Sequence, residues 1–227
     1  MNAQTQRLLC TGPVGMIECA LDIPVASTAP RGVAVIAHPH PLFGGTMDNK
    51  VVQTMVRALL QLGYSCVRFN FRGVGATEGS HADGLGECED MLAVIAAHRA
   101  PNLPLVLAGF SFGAYVTTLA AEKLSGDDRA ERLILVGPST QRATPANVPA
   151  NTLVIHGETD EVVPLSATLN WARPQQLPVV VMPGVGHFFH GQLTPLRDLI
   201  VRSWHAPHAP SQAHLQAPPL ASPPSSR

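Results

Sequence analysis

Five residues, Gly109-Phe110-Ser111-Phe112-Gly113, fit the pattern G-x-S-x-G where an apolar run from Leu103 to Ala108 gives way to a helical one from Ala114 to Leu124. A serine hydroxyl is a poor nucleophile at neutral pH and needs a base that takes its proton. The pattern serves that chemistry when it lies on a strand-to-helix turn. There a tight, strained corner holds the hydroxyl clear of the backbone, within reach of both base and substrate. Small residues must flank it, because a side chain at Gly109 or Gly113 would meet the neighbouring strand or the helix that starts at the turn. The helix N-terminus also turns the Phe112 amide towards negative charge developing on a bound carbonyl oxygen. Pro104–Ala108 reads as a short buried strand and Ala114–Leu124 as the helix after it, so the context is right on both sides.

Such a serine requires a histidine base and a carboxylate to hold that base in one tautomer. In the strand-to-helix form of the motif the partners follow in the order serine, acid, histidine. Downstream, the strand Thr152–His156 runs into a loop carrying Glu158, Asp160 and Glu161, and the strand Leu177–Met182 runs into one carrying His187 and His190. Asp160 is the expected acid. Glu158 sits just beyond its strand, and Glu161 would turn outward if Val162 and Val163 turn in. His187 is the expected base, since it follows Gly184 and Gly186 and precedes Phe188 and Phe189, which could shield it from water. The competing account of these carboxylates is a solvated loop charge, and of a lone loop histidine an inert one.

An oxyanion needs a second backbone donor besides Phe112, and the loop after the third strand is where the motif places it. That loop runs from His38 to Gly45, and Pro39 and Pro41 have no amide hydrogen, which narrows the donor to His40, Leu42 or a later residue. Setting residues 40–44 against the H-G-x-x-G form of this loop makes Leu42 the donor.

The elements that must position these groups alternate along the chain. Residues 14–22 are expected to form an antiparallel edge strand, and Gly32–Ala37, apolar throughout, a strand buried on both faces of a mainly parallel sheet. A helix is expected over residues 49–63, a strand over 64–70, a helix over 84–99, then the strand and helix of the turn. Strands at 132–136 and 151–155, a short helix at 165–172, a strand at 177–182 and a helix from 195 to about 204 complete the set. This is the pattern of a doubly wound α/β fold, a mostly parallel sheet with helices on both faces, expected as one domain over residues 1–205. Residues 206–227, dominated by Pro, Ala, Ser, Gln and His, are expected to be a disordered tail.

Composition excludes some functions. With 227 residues and a formal net charge of -1, nothing draws the chain to nucleic acid or to an anionic membrane. No run approaches about 18 apolar residues, and the N-terminus lacks the apolar stretch of a secretion signal, so a cytoplasmic protein is expected. Four cysteines, Cys10, Cys19, Cys66 and Cys88, show neither C-x-x-C nor zinc-ribbon spacing, and Cys66, inside an apolar strand, is expected to be a reduced core thiol. No cofactor or metal is expected, and the sequence does not specify an oligomeric state.

Taken in order, His38–Gly45, Phe69–Gly75 with Gly79, Gly109–Gly113, Gly157–Pro164 and Gly186–Phe189 resemble the α/β-hydrolase superfamily, specifically the small lidless bacterial serine hydrolases of the dienelactone-hydrolase and carboxylesterase type. The resemblance covers about residues 30–200. It departs at Pro41, where the superfamily often has glycine, and in the short interval from Val136 to Asn151, where relatives often insert a lid. It implies hydrolysis of a small or short-chain carboxylic ester through a triad of Ser111, His187 and Asp160 and an acyl-enzyme, with a small acyl compound as the partner. Thioester or peptide substrates on the same triad, or a non-catalytic binding protein of the same shape, are the alternatives. Two other readings carry less. Gly73, Gly75 and Gly79 miss the spacing of a dinucleotide loop by one residue, and a metal site from His38, His40, His187 and Asp160 is weakened by the interposed prolines.

Overall fold

The structure is a computed structural model describing residues 5–25, 29–100, 102–141 and 143–204; the expected tail lies outside these residues. In chain order the elements are β1 (Gln6–Gly12), β2 (Gly15–Asp22), β3 (Gly32–Ala37), α1 (Lys50–Gln61), β4 (Tyr64–Phe69), α2 (Leu85–His98), β5 (Leu105–Phe110), α3 (Phe112–Lys123), β6 (Arg132–Val136), β7 (Leu153–Gly157), α4 (Leu165–Ala172), β8 (Val179–Met182) and α5 (Leu193–Trp204). The strands form one eight-stranded sheet in the order β1-β2-β4-β3-β5-β6-β7-β8. Pairings of β1 with β2 and of β2 with β4 are antiparallel, and all the others are parallel.

The central strands are apolar throughout because both faces are covered. In β3, Val33, Val35 and Ala37 pack into a core shared with α2 and α3, while Ala34 and Ile36 face the opposite core with α1 and α5. β5 divides in the same way, with Leu105 and Leu107 on one face and Val106, Ala108 and Phe110 on the other. Alternate side chains point to opposite faces of a strand, so a continuous apolar run is what a two-sided burial demands. Helix α1 begins at Asn49, whose Oδ1 accepts from the amides of Val51 and Val52 at 2.8 and 3.4 Å, a side-chain cap of the usual kind.

One expectation is corrected. Residues 15–22 are the second strand, paired on both sides, and the sheet edge is β1, a strand the sequence pattern did not announce. Along β1 Cys10 is the one buried residue, so its sequence lacks the regular alternation by which a half-buried strand is recognised. Its place is set by pairing with β2, from Gln6 opposite Leu21 to Gly12 opposite Gly15.

Among the described residues, 137–152 between β6 and β7 hold no helix or strand, and no lid domain stands over the carboxyl ends of the strands. No helix among the described residues is long and apolar enough to cross a membrane.

Candidate active site

Ser111 sits between the last residue of β5 and the first of α3 with φ +55° and ψ −118°, a conformation that costs a non-glycine residue of order 1–3 kcal/mol. The surroundings hold it there. Its N–H donates to the Val136 carbonyl at 2.9 Å, and its carbonyl accepts from the amides of Ala114, Tyr115 and Ser139. A Cβ on Gly109 would fall 2.4 Å from the Gly113 carbonyl oxygen, and one on Gly113 would fall 2.4 Å from the carbonyl oxygen of His38. Both glycines are therefore dictated by backbone meeting backbone. Phe112 opens α3, so its N–H has no carbonyl within the helix to bond.

The loops after β7 and β8 bring the other two residues to the serine. His187 Nε2 lies 3.0 Å from Ser111 Oγ, and His187 Nδ1 lies 2.7 Å from Asp160 Oδ2. The carboxylate has no proton to give, so Nδ1–H donates to it, and Nε2 is left as the acceptor for the serine hydroxyl. All three side chains are buried, and Ser111 at 8% exposure keeps contact with solvent. Phe110 and Phe188 pack on the imidazole at 5.0 and 5.2 Å between ring centroids, while Phe189 turns away into the core.

Asp160 is tied on both oxygens. Oδ1 accepts from the amides of Val162 at 2.9 Å and Val163 at 2.7 Å, and Oδ2 takes His187. Burial by itself would raise its pKa; the hydrogen bond from His187 and the two amides outweigh that and hold it below the usual carboxylate range. The neighbouring acids have other tasks. Glu158 accepts from Gly184 N–H at 2.8 Å, and Glu161 accepts from His187 N–H at 3.3 Å, so each braces the loop that carries the histidine. His190 is exposed and lies outside the constellation.

The Leu42 amide is engaged locally. The residue stands in a short 3-10 turn, Pro41–Phe43, where its N–H donates to His40 Nδ1 at 3.3 Å and its side chain is 69% exposed. Proline at position 41 favours this tight turn, which engages the Leu42 amide locally with the His40 ring. His40, by contrast, borders the cavity above Ser111, its ring 4.7 Å from that of Phe112.

Two buried histidines that the sequence pattern does not assign to the site support it. His38 donates from Nδ1 to the Pro39 carbonyl at 2.6 Å and accepts on Nε2 from the Phe71 amide at 3.0 Å, tying the loop after β3 to the end of β4. Desolvation pushes its pKa down to about 4, and the Phe71 contact needs the neutral ring. His156, in β7, donates from Nε2 to the Val163 carbonyl at 2.9 Å with Asp160 Oδ2 3.4 Å away. Burial lowers its pKa as well. The legible signal was a histidine closing an apolar strand four residues before Asp160.

A cavity of about 360 Å³ opens over the serine, walled by His40, Phe43, Phe112, Val162 and Phe188 with Asn49, Ser139 and Gln141 as polar points. Among the described residues lining it there is no carboxylate, ammonium or guanidinium group. The arrangement can accept a neutral carbonyl compound, present it to an activated hydroxyl and stabilise a developing oxyanion from the α3 N-terminus.

Residues 28–149 match the model of a hydrolase family described as "Serine aminopeptidase, S33". Among solved structures, the chain is similar to an α/β serine hydrolase homologue from Coxiella burnetii, at 40% identity and TM-score 0.78 over 87% of this chain and 96% of that one. It is equally similar to an α/β serine hydrolase without lid from Xanthomonas campestris, at 40% identity and TM-score 0.80 over 92% of this chain and 99% of that one. An uncharacterized protein of Rickettsia prowazekii is 40% identical over 108 residues, 46% of this chain and 44% of that protein, so the match spans less than half of that relative.

Proposed function

The chain belongs to the α/β serine hydrolases, and from that premise we propose that it hydrolyses small or short-chain carboxylic esters through a covalent acyl-enzyme on Ser111. The observation that carries the reading is the continuous relay from Ser111 Oγ through His187 to Asp160, at 3.0 and 2.7 Å, opening into a cavity whose described lining holds no carboxylate, ammonium or guanidinium group. Ser111 Oγ attacks the ester carbonyl while its proton passes to His187 Nε2. Asp160 holds the imidazolium that results. The Phe112 amide, with the His40 amide as second donor in place of Leu42, receives the oxyanion. His40 is preferred because it lines the cavity, whereas Leu42 is not among the described residues that line it. Collapse of the tetrahedral intermediate expels the alkoxide, which takes the proton from His187. A water then repeats the sequence on the acyl-enzyme and releases the acid and the free serine.

The aminopeptidase description of the family gives a second reading. An exopeptidase of that class must hold a substrate α-ammonium, and the described residues of the cavity wall offer no carboxylate to pair with it. Esters fit the wall better than amino-terminal peptides do. Its open mouth, with no lid, favours short acyl groups over long ones, and the chain is expected to work in the cytoplasm on a soluble small molecule.

The test is a panel of p-nitrophenyl esters from acetyl to palmitoyl beside aminoacyl p-nitroanilides. The reading expects kcat/KM to be highest on short esters and the anilides to be at least about a hundredfold poorer. Rising efficiency with chain length, or a preference for the anilides, would overturn it.

A further inference from the structure

Cys10 on β1 and Cys19 on β2 are diagonal neighbours across the antiparallel pair, Cys10 lying opposite Ile17 and Cys19 opposite Leu8. Both side chains turn into the core shared with α2, and their Sγ atoms stand 3.7 Å apart. His98 closes α2 and brings its ring to the same point, so that one ligand atom from each of the three residues lies within 4.8 Å of the other two. Its Nε2 is buried and has no hydrogen-bond partner among the described residues.

We propose that Cys10, Cys19 and His98 form a binding site for one thiophilic divalent cation of the zinc class. Two sulfurs bound to a tetrahedral zinc ion at about 2.3 Å lie about 3.8 Å from each other, and the 3.7 Å between these sulfurs needs almost no adjustment. Two thiols with one imidazole are a donor set that selects soft or borderline ions over magnesium and calcium. On binding, two metal–sulfur bonds and one metal–nitrogen bond form, and the two S–H protons leave to solvent. The two thiolates cancel the charge of the ion, so what is buried is a neutral cluster. A fourth position remains for water. A disulfide would answer for the two sulfurs only and would leave the buried His98 nitrogen without a purpose.

The site is remote from the chemistry. β1 is four strands from β5 in the sheet order, roughly 19 Å at an inter-strand spacing of about 4.8 Å. The ion therefore acts as a clamp, fastening the edge strand β1, which buries little of its own, to the end of α2.

The experiment uses the full chain, reduced and stripped with chelator, titrated with Cd²⁺ and read by thiolate-to-metal charge-transfer absorption, with Zn²⁺ as competitor. The expected result is one equivalent of Cd²⁺ giving the band and one of Zn²⁺ abolishing it. Cys10→Ser and Cys19→Ser should remove the band, and His98→Ala, which keeps both thiols, should weaken binding at least tenfold. Histidines elsewhere in the chain give no sulfur band and cannot mimic it. Esterase activity of each variant should stay within twofold of the parent, which reports that the variant is folded. Absence of the band in the folded parent protein, a band that persists undiminished in folded Cys10→Ser, or an unchanged Cd²⁺ affinity in folded His98→Ala, would overturn the proposal.

Discussion

Asp160 accepts two backbone amides and one imidazole N–H, and this bonding decides which of three adjacent acids faces the histidine. Replacing it by Asn keeps the volume but offers Nδ1 a group that can present an N–H of its own, so the imidazole is free to take the wrong tautomer. Asp160→Asn should lower kcat by about 10⁴-fold with little change in KM, checked by steady-state kinetics on the best ester. His156 acts one step behind, through the Val163 carbonyl and Asp160 itself. His156→Phe should cost about ten- to a hundredfold in kcat, the range seen when groups that orient a functional side chain are lost. Its KM should hold, and a fall in stability alone with kcat intact would show it to be a packing residue. At this scale Ser111, Asp160 and His187 were legible because each stands at a fixed place relative to a strand end. The local engagement of the Leu42 amide was not legible, because proline at position 41 makes a 3-10 turn that a pattern with glycine there does not foresee. His38 and His156 were obscure because a buried histidine shows itself by its partners, and those lie 33 residues away at Phe71 or across the Asp160 loop.

The turn from β5 into α3 is possible only because Gly109 and Gly113 let two stretches of backbone touch. Gly113→Ala would place a methyl group 2.4 to 2.5 Å from the carbonyl oxygens of Ala37 and His38, neither of which can step aside without moving β3. We expect a loss of stability at or above the roughly 1–3 kcal/mol of ordinary overpacking, and a thermal midpoint lower by several degrees; a melt unchanged from the parent would contradict this reading of the elbow. The parallel strands and their helices were readable from uninterrupted apolar runs and 3.6-residue periodicity, with ends displaced by a residue or two as helix and strand termini generally are. β1 was not readable, since an edge strand with one buried residue leaves no periodic trace, and its assignment depends on pairing with β2.

For the molecule as a whole, acid stability follows from groups held in one charge state by the fold. The His38 pKa of about 4 lies below the ordinary histidine value of about 6.5, so between these limits the unfolded chain binds the proton that the folded one refuses. Stability from His38 is thus complete above pH 6.5 and is lost as pH falls towards 4, on the order of 3 kcal/mol in all. His156 adds a contribution of the same sign. Asp160, held below the usual carboxylate range, contributes stability that is present above about pH 3.9 and lost only as pH falls through its lower native value. Denaturant midpoints measured from pH 8 to pH 4 should fall most below 6.5, and His38→Gln should flatten that slope. A parent profile level from pH 7 to 4.5 would contradict the account. Among the described residues no lid covers the cavity over Ser111, as the short interval between β6 and β7 leads one to expect, so the serine is within reach of reagents as well as substrates. The central claim, an activated serine at residue 111, is therefore tested most directly by treating the native protein with a fluorophosphonate and mapping the adduct by peptide mass. The account predicts one adduct, on Ser111, formed at least about a thousandfold more slowly in His187→Gln and absent in Ser111→Ala; no adduct on the folded protein, or labelling that ignores both substitutions, would contradict it.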